Sequence, residues 1–342
     1  MSVTLRIVAA GPGVTLQDGG RWGYLRYGVT AAGPMDPLAF AAANLVACRL
    51  PGSPAIEVSL GGVELAVRGG DLSVAVVGGA FRLNVDGREF SSPAVVPLRP
   101  QSQLSIRAGA HGAWCYVGIA GLLEVAPILG SVSTHARSGI GGLNGRALSA
   151  GDVLPVAMPQ VLEPEIATIA APRLERGGGP IRVVLGPQDD YFSTDQIASF
   201  LRGPWTLSSR SDRMAYILEG VPIGHTKGFN IVSDGIAMGA IQVPGNGLPT
   251  VLMADRQPTG GYPKIANVIG VDLGRLAQMR PGARLSFQAV DLDAAVSLRR
   301  AEATALAAPV VREPLIRSDF SSEFLLSTNL VGGVSAGDDM AS

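Results

Sequence analysis

The sequence predicts a mainly β protein with a few short helices, arranged as two β-barrel domains. Three observations lead there. Gly (45) and Pro (24) make up about a fifth of the 342 residues, so segments are short and turns frequent. From 63 to 120 apolar runs recur every eight to twelve residues, the rhythm of a barrel or sandwich. The length suits two domains, and the low charged content, 16%, leaves enough apolar residues for a large core.

Residues 3–9 alternate and then run apolar, which predicts a strand broken by Gly11-Pro12-Gly13. Val14-Thr15-Leu16 begins a second strand and feeds a polar turn: Gln17, Asp18, Gly19, Gly20, Arg21, Trp22. That turn is either a ligand site or a turn capped by Asp18 with Arg21 paired to it. Met35 to Cys48 is the clearest helix, with Asp36 as N-cap, Pro37 at its first position and an apolar face of Leu38, Ala41, Ala42, Leu45 and Val46. Ile56 to Leu60 is an alternating strand with Glu57 opposite its apolar side.

The runs VELAV, LSVAVVG, FRLNVDGREF, AVVPL, QLSIRAG and WCYVGIAG follow, with a tight hairpin at Asp86-Gly87. Residues 127–146 depart from the rhythm and concentrate Ser131, Ser133, Thr134, His135, Arg137, Gly141, Gly142 and Arg146. Exposed N–H groups with hydroxyls and arginines read as an anion cradle, or else as a surface loop. Residues 1–160 are assigned to the N-terminal domain, and the Pro-, Glu- and Gly-rich residues 161–180 to a linker.

Residues 181–295 are assigned to the C-terminal barrel, opening with the strand Ile181–Leu185 and a short helix capped by Ser193 and Gln196. Its central stretch is IQVPGNGLPTVLMADRQPTGGYPK, 241–264. Val251–Ala254 reads as a buried strand between a Pro/Gly/Asn turn and the Gly260-Gly261 break. Asp255, Arg256, Gln257 and Thr259 stand where the chain leaves the core, and Tyr262 and Lys264 flank Pro263. This is either a small-molecule site or a hairpin with a polar tip. Residues 296–342 are assigned to a C-terminal helix, begun near 291, and a tail without clear pattern.

Several function classes are disfavoured. Net charge is −1, and the only lysines are Lys227 and Lys264, so no basic face invites nucleic acid. No apolar run approaches membrane-spanning length, no secretory pattern opens the sequence, and two cysteines form no framework; cytoplasm is the default compartment. His111, His135 and His225 lack ligand spacing, so no metal is assigned. There is no G-x-S-x-G elbow and no Gly-Lys-Ser/Thr phosphate loop.

GVTLQDGGRWGYLRYGV, AAGPMDPLAFAAANL and AIEVSLGG in the first sixty-two residues, GSVSTHARSGIGGLNGRALSAGDVL, and the stretch around 241–282 together resemble the family of biotin-dependent carboxyltransferases and 5-oxoprolinase C subunits. That family also takes in allophanate hydrolase subunit 2, a Kip-antagonist type and the second half of the urea carboxylase carboxyltransferase region. The resemblance implies cyclophilin-like β-barrels. It implies a component of an ATP-dependent 5-oxoprolinase, opening 5-oxo-L-proline to L-glutamate beside the A and B subunits, with ATP shared between them. The alternatives it carries are a carboxyltransferase fed by carboxybiotin in trans, and a non-enzymatic partner-binding regulator. Candidate catalytic residues are Asp255 and Lys264. Candidate substrate or anion contacts are Gln17, Asp18, Arg21, Ser133, Thr134, Arg137, Gln242, Arg256, Gln257, Thr259, Gly260, Gly261 and Tyr262. The sequence departs from the family pattern at Val132, Ala215, Ile217 and Pro258.

Overall fold

The computed structural model describes residues 2–170 and 177–315. The mainly β architecture is the expected one. In the N-terminal half two seven-stranded sheets enclose one apolar core in a barrel-like sandwich. The first sheet runs in the spatial order Leu122–Leu123, Val153–Ala157, Val3–Ala10, Val63–Arg68, Gln103–Arg107, Arg82–Val85, Arg88–Ser91. The second runs Thr15–Gln17, Ala55–Val58, Cys115–Ile119, Leu72–Val77, Ala94–Leu98, Ala167–Ala170, Val311–Pro314. Asp86 (φ 51°) and Gly87 (φ 93°) both adopt the left-handed region at the predicted hairpin, as a two-residue turn with positive φ at both positions requires.

The second sheet is buried on both faces, and the period of two explains how. Ile56, Val58, Val74, Val76, Cys115, Val117 and Ile119 point into the barrel core. Their neighbours Ala55, Ala75, Val77 and Tyr116 point the other way, into a second core shared with the C-terminal half. Helix α1 (Pro37–Val46) lies on that outer face. Its N-cap is Asp36, whose Oδ1 accepts from Ala39 N at 3.1 Å. Gly118 lets α1 come close, because a Cβ there would sit 2.4 Å from Ala43 O.

The C-terminal half is an eight-stranded sheet: Arg284–Leu285, Trp205–Leu207, Ala215–Glu219, Thr250–Leu252, Ala240–Gln242, Lys264–Val268, Ile181–Leu185, Phe287–Ala289. Helices α2 (Thr194–Arg202), α3 (Gly270–Ala277) and α4 (Leu292–Leu306) complete it. Ser193 Oγ caps α2 by accepting from Gln196 N, as expected, but the Gln196 side chain accepts from Gly224 N instead of closing the capping box. None of these helices is long and apolar enough to cross a membrane.

Two stretches differ from their sequence reading. Ala167–Ala170, within the stretch assigned to the linker, is a strand. Val311–Pro314, at the start of the patternless tail, returns to pair with it in antiparallel register, Ala167 against Pro314. Neither four-residue run is long enough to show periodicity by itself. The tail beyond 315 lies outside the described residues.

Candidate functional site

Asp18, Gln17 and Arg21 lie at the end of the strand Thr15–Gln17, and the loop 128–135 lies on top of them. Asp18 accepts from Ser131 Oγ and Ser133 Oγ, each at 2.6 Å, from Gly20 N at 2.9 Å and from Val132 N at 2.7 Å. Gln17 donates to Thr15 Oγ1 and to Thr134 O, and accepts from Gly33 N. Thr134 Oγ1 donates to Leu16 O. Arg21, 1% exposed, donates to the carbonyls of Ile128 (2.9 Å), Ser131 (3.2 Å) and Ser133 (2.9 Å). The Asp18–Arg21 pairing offered for this turn gives way to that loop, because its main chain supplies nearer acceptors. Burial pulls the Arg21 pKa down, with Asp18 opposing.

Val132, a departure from the family pattern, is buried, and it contributes its N–H to Asp18. Gly141 allows the close packing of this loop: it has φ 75°, and a Cβ there would stand 2.0 Å from Ser133 O and 2.8 Å from Arg21 Nη2.

Asp255 stands at the boundary between the halves. Arg213 clamps it with two parallel hydrogen bonds of 2.9 Å, Nε to Oδ2 and Nη2 to Oδ1. The same guanidinium bonds Gly33 O at 2.7 Å and forms an ion pair with Glu57 Oε1. Glu57 is fully buried. The side of its strand that the sequence marks as polar is polar because this arginine covers it. Its other oxygen accepts from Met35 N and Tyr116 OH, both at 2.8 Å. Burial pushes the Glu57 carboxyl up, while Arg213 and these two donors pull it down. Burial likewise works against the charge on Arg213, but Asp255 and Glu57 outweigh it and hold the guanidinium firmly protonated.

Lys264 is 3% exposed and reaches out to Asp234 Oδ2 and to Gly235 O at 3.2 Å. Asp234–Gly235 pairs with Thr259–Gly260 in a small two-stranded ribbon over the sheet. Gln242 pairs in register with Lys264 and directs its amide at Tyr262 O. Gly260 lies against it, where a Cβ would meet Gln242 Nε2 at 2.7 Å. Gly261 O accepts from Ile231 N, and Tyr262 is 40% exposed. Arg256 is buried and donates to Ile236 O at 3.0 Å; burial lowers its pKa, with Asp255 opposing. Gln257 Oε1 is buried without a hydrogen-bond partner.

These groups are joined. His135 Nε2 lies 3.4 Å from Asp255 O, so the Arg21 turn, the 128–140 loop and the Asp255 corner meet in one region. Arg137, exposed on the same loop, pairs with Asp212, two residues from Met214, whose O accepts from Met253 N. The ribbon then links Arg256 to Lys264 through Ile236 and Gly235. Chemically the region offers acceptor-rich loops, two buried cations with partly used donors, and a carboxylate locked to an arginine.

Two hollows lie elsewhere in the molecule. One is lined by Asp36, His111, Gln278 and Arg284, the other by Arg182, Asp272 and Arg275, and neither takes in the predicted residues. Sequence reasoning assigns no role to Glu57, Arg213 or Asp234. Arg213 is visible as a charge ahead of an apolar run, but its partner Glu57 is 156 residues away and no local pattern links them.

The family model of the carboxyltransferase domain, subdomain A and B, matches residues 27–289. The chain is 37% identical to the 5-oxoprolinase C subunit of Haemophilus influenzae, over 84% of this chain and 91% of that one. It is 35% identical to the 5-oxoprolinase C subunit of Escherichia coli, over 86% and 94%. It is 30% identical to the urea amidolyase of Saccharomyces cerevisiae over 88% of this chain, which is 17% of that much longer protein. The crystal structure of the K. lactis urea amidolyase superposes with a TM-score of 0.82 at 26% identity, covering 89% of this chain and 20% of that one. A buried polar junction on a two-part β scaffold, matched across three quarters of its length by one family model, identifies the chain as a member of the carboxyltransferase domain A and B family.

Proposed function

We propose that this chain is the C subunit of a 5-oxoprolinase, which opens 5-oxo-L-proline to L-glutamate with ATP and works with the A and B subunits in the cytoplasm. The observation that carries this reading is end-to-end similarity: 91% of the Haemophilus influenzae protein is matched, against 17% of the yeast amidolyase. The physical logic agrees. A lactam carbonyl is a poor electrophile, and phosphorylation of its oxygen makes the carbon open to water. The protein must then supply donors for phosphate and for the developing negative charge. Arg21, Arg137, Arg256 and the backbone at Gly260-Gly261 are the donors assigned to this chain, with Asp255 and Lys264 nearest to proton transfer. The sequence carries no Gly-Lys-Ser/Thr phosphate loop, so the nucleotide is assigned to a site of another type or to one shared with a partner protein.

Co-expression with the A and B homologues, followed by a coupled assay of ADP and glutamate release, tests it. Turnover of 5-oxo-L-proline that needs all three chains is expected. No turnover of any lactam by the assembled complex overturns it. A second reading, carboxyl transfer from carboxybiotin held by another protein, is favoured by the family model and by the amidolyase superposition. A biotinylated partner that co-purifies, with carboxylation of urea, would decide for it.

A further inference from the structure

Lys264 is buried at the start of an interior strand of the eight-stranded sheet, so its ammonium needs a counter-ion. That counter-ion is not part of the sheet. It is Asp234, 52% exposed and mounted on the small ribbon above. The ribbon is lightly held. It pairs at two positions, Asp234 with Gly260 and Gly235 with Thr259. Residues 232–235 are all exposed, so no buried side chain anchors them. The chain is fixed again at Ile236, which is buried, donates to Pro258 O and accepts from Arg256 Nε.

The groups beneath Asp234 are placed by the sheet. Gln242, also buried, stands opposite Lys264 in register. Gln188 exchanges two hydrogen bonds with the Lys264 main chain: its N donates to Lys264 O, and its Oε1 accepts from Lys264 N. Gln242, Lys264 and Gln188 thus form a row at or just past the ends of three adjacent strands. Asp234 caps that row. Its Oδ2 takes the Lys264 ammonium, and its Oδ1 accepts from Gly235 N at 2.7 Å. The Lys264 hydrogen bond, then Gly235 N and the Gln188 side chain, hold the Asp234 carboxyl below its ordinary value. The place above Lys264 therefore suits a carboxylate, and the carboxylate in it belongs to a segment that can leave without disturbing the sheet.

Charge decides what can replace it. A ligand with its own carboxylate gives Lys264 one counter-ion for another, and the ammonium never stands unpaired. A neutral ligand of the same shape would leave a buried ammonium without a partner, the costly half of a broken ion pair. We propose that the place held by Asp234 is the carboxylate subsite of the substrate: an anionic substrate displaces Asp234 from Lys264 and lifts the ribbon, so that Asp234 selects anionic over neutral substrates. The proposal deepens the reading above and rests on it only for the identity of that substrate, 5-oxo-L-proline. Lys264 gains a binding part that precedes any proton transfer through it, and Asp234 is its resident competitor.

Hydrogen exchange read by mass spectrometry tests this on the full chain, alone and assembled with the A and B homologues. Three probes are compared at matched ionic strength: 5-oxo-L-proline, its neutral counterpart 2-pyrrolidinone, and acetate. 5-Oxo-L-proline and acetate are expected to speed exchange at 231–236 and 259–261 several-fold, and 2-pyrrolidinone to leave it unchanged. Asp234→Asn should exchange fast at these segments without any ligand. Its thermal midpoint should respond to about one-tenth of the 5-oxo-L-proline that the parent chain needs, because a closed form favoured roughly tenfold no longer has to be opened. No change at these segments with any probe, an equal change with 2-pyrrolidinone, or an Asp234→Asn chain that needs as much 5-oxo-L-proline as the parent overturns the proposal. If acetate releases the ribbon and Asp234→Asn responds to less of it, while the assembled complex turns over no lactam, the subsite stands and the oxoprolinase reading falls. If 5-oxo-L-proline is turned over and the ribbon stays closed, the subsite falls and the reading stands.

Discussion

Arg213 of the C-terminal half and Glu57 of the N-terminal half form an ion pair across the boundary, 156 residues apart in sequence. Glu57 is completely buried and Asp255 largely so, and the same guanidinium neutralises both. Arg213→Met therefore leaves two carboxylates without their cation. The expected cost is about 3–5 kcal/mol, the usual penalty for breaking a buried pair from one side. Urea unfolding followed by tryptophan fluorescence measures it. Adding Glu57→Gln to Arg213→Met should recover part of the loss, since the uncompensated charge is what costs most.

Asp272 gives a pH prediction. Burial opposes its charge, but the hydrogen bonds from the Arg182 side chain and main chain, together with Arg275, bring its pKa below the ordinary value. The folded carboxyl is thus harder to protonate than the unfolded one. Its contribution is complete above the unfolded value, about 4, and is lost as pH falls through the lower folded value. Asp272→Asn should flatten the acid limb of the stability–pH curve, measured by unfolding midpoints from neutral pH down into strong acid.

Arg137 separates ligand contact from stability. Its pair with Asp212 is more than half exposed on both sides, so its loss should shift stability by no more than about 1 kcal/mol. Arg137→Ala is expected to leave the thermal midpoint in place and to lower kcat/KM of the assembled complex at least tenfold. An unchanged kcat/KM removes Arg137 from the site.

Lys264 holds the ribbon formed by Asp234–Gly235 and Thr259–Gly260 from below. Lys264→Met keeps the buried stem and removes the two bonds. Amide hydrogen exchange should speed up at 231–236 and at 259–261, while the strand Leu72–Val77 keeps its protection.

Gly141→Ala strains the loop over Arg21 twice, by the positive φ and by a Cβ driven against Ser133 O. A cost of about 1–3 kcal/mol follows. The thermal midpoint should fall, and 5-oxo-L-proline binding should weaken by more than Gly139→Ala weakens it. Gly139 also has positive φ but nothing within 4 Å of its Cβ position.

Much of the fold can be read from local pattern. The strands between 63 and 107, the Asp86-Gly87 turn and the Asp36 cap with Pro37 each depend on residues close in sequence, where periodicity and turn chemistry act. Helix α3 escapes such a reading for the same reason in reverse. It begins at Gly270, contains Gly274, and has Ile269 at its N-cap with no side-chain cap, so its stability comes from packing Leu273, Leu276 and Ala277 into the shared core. The site residues are legible as polar groups at strand exits. Their partners are not: Arg21 spends its donors on carbonyls more than a hundred residues away, and Asp255 answers to an arginine 42 residues before it. Main-chain acceptors leave no mark in a sequence.

The antiparallel match of Ala167–Ala170 with Val311–Pro314 fastens the C-terminal half at both its entrance and its exit. The chain leaves the first half beside one strand and comes back to lie along it, so the polypeptide forms a loop shut by main-chain bonds. A truncation ending near 300 would strip that partner away and make Ala167–Ala170 the edge strand of its sheet, ready to recruit a stranger's strand. Any shortened chain meant to isolate the first half should therefore carry a substitute for that returning strand, or blunt the rim with charge.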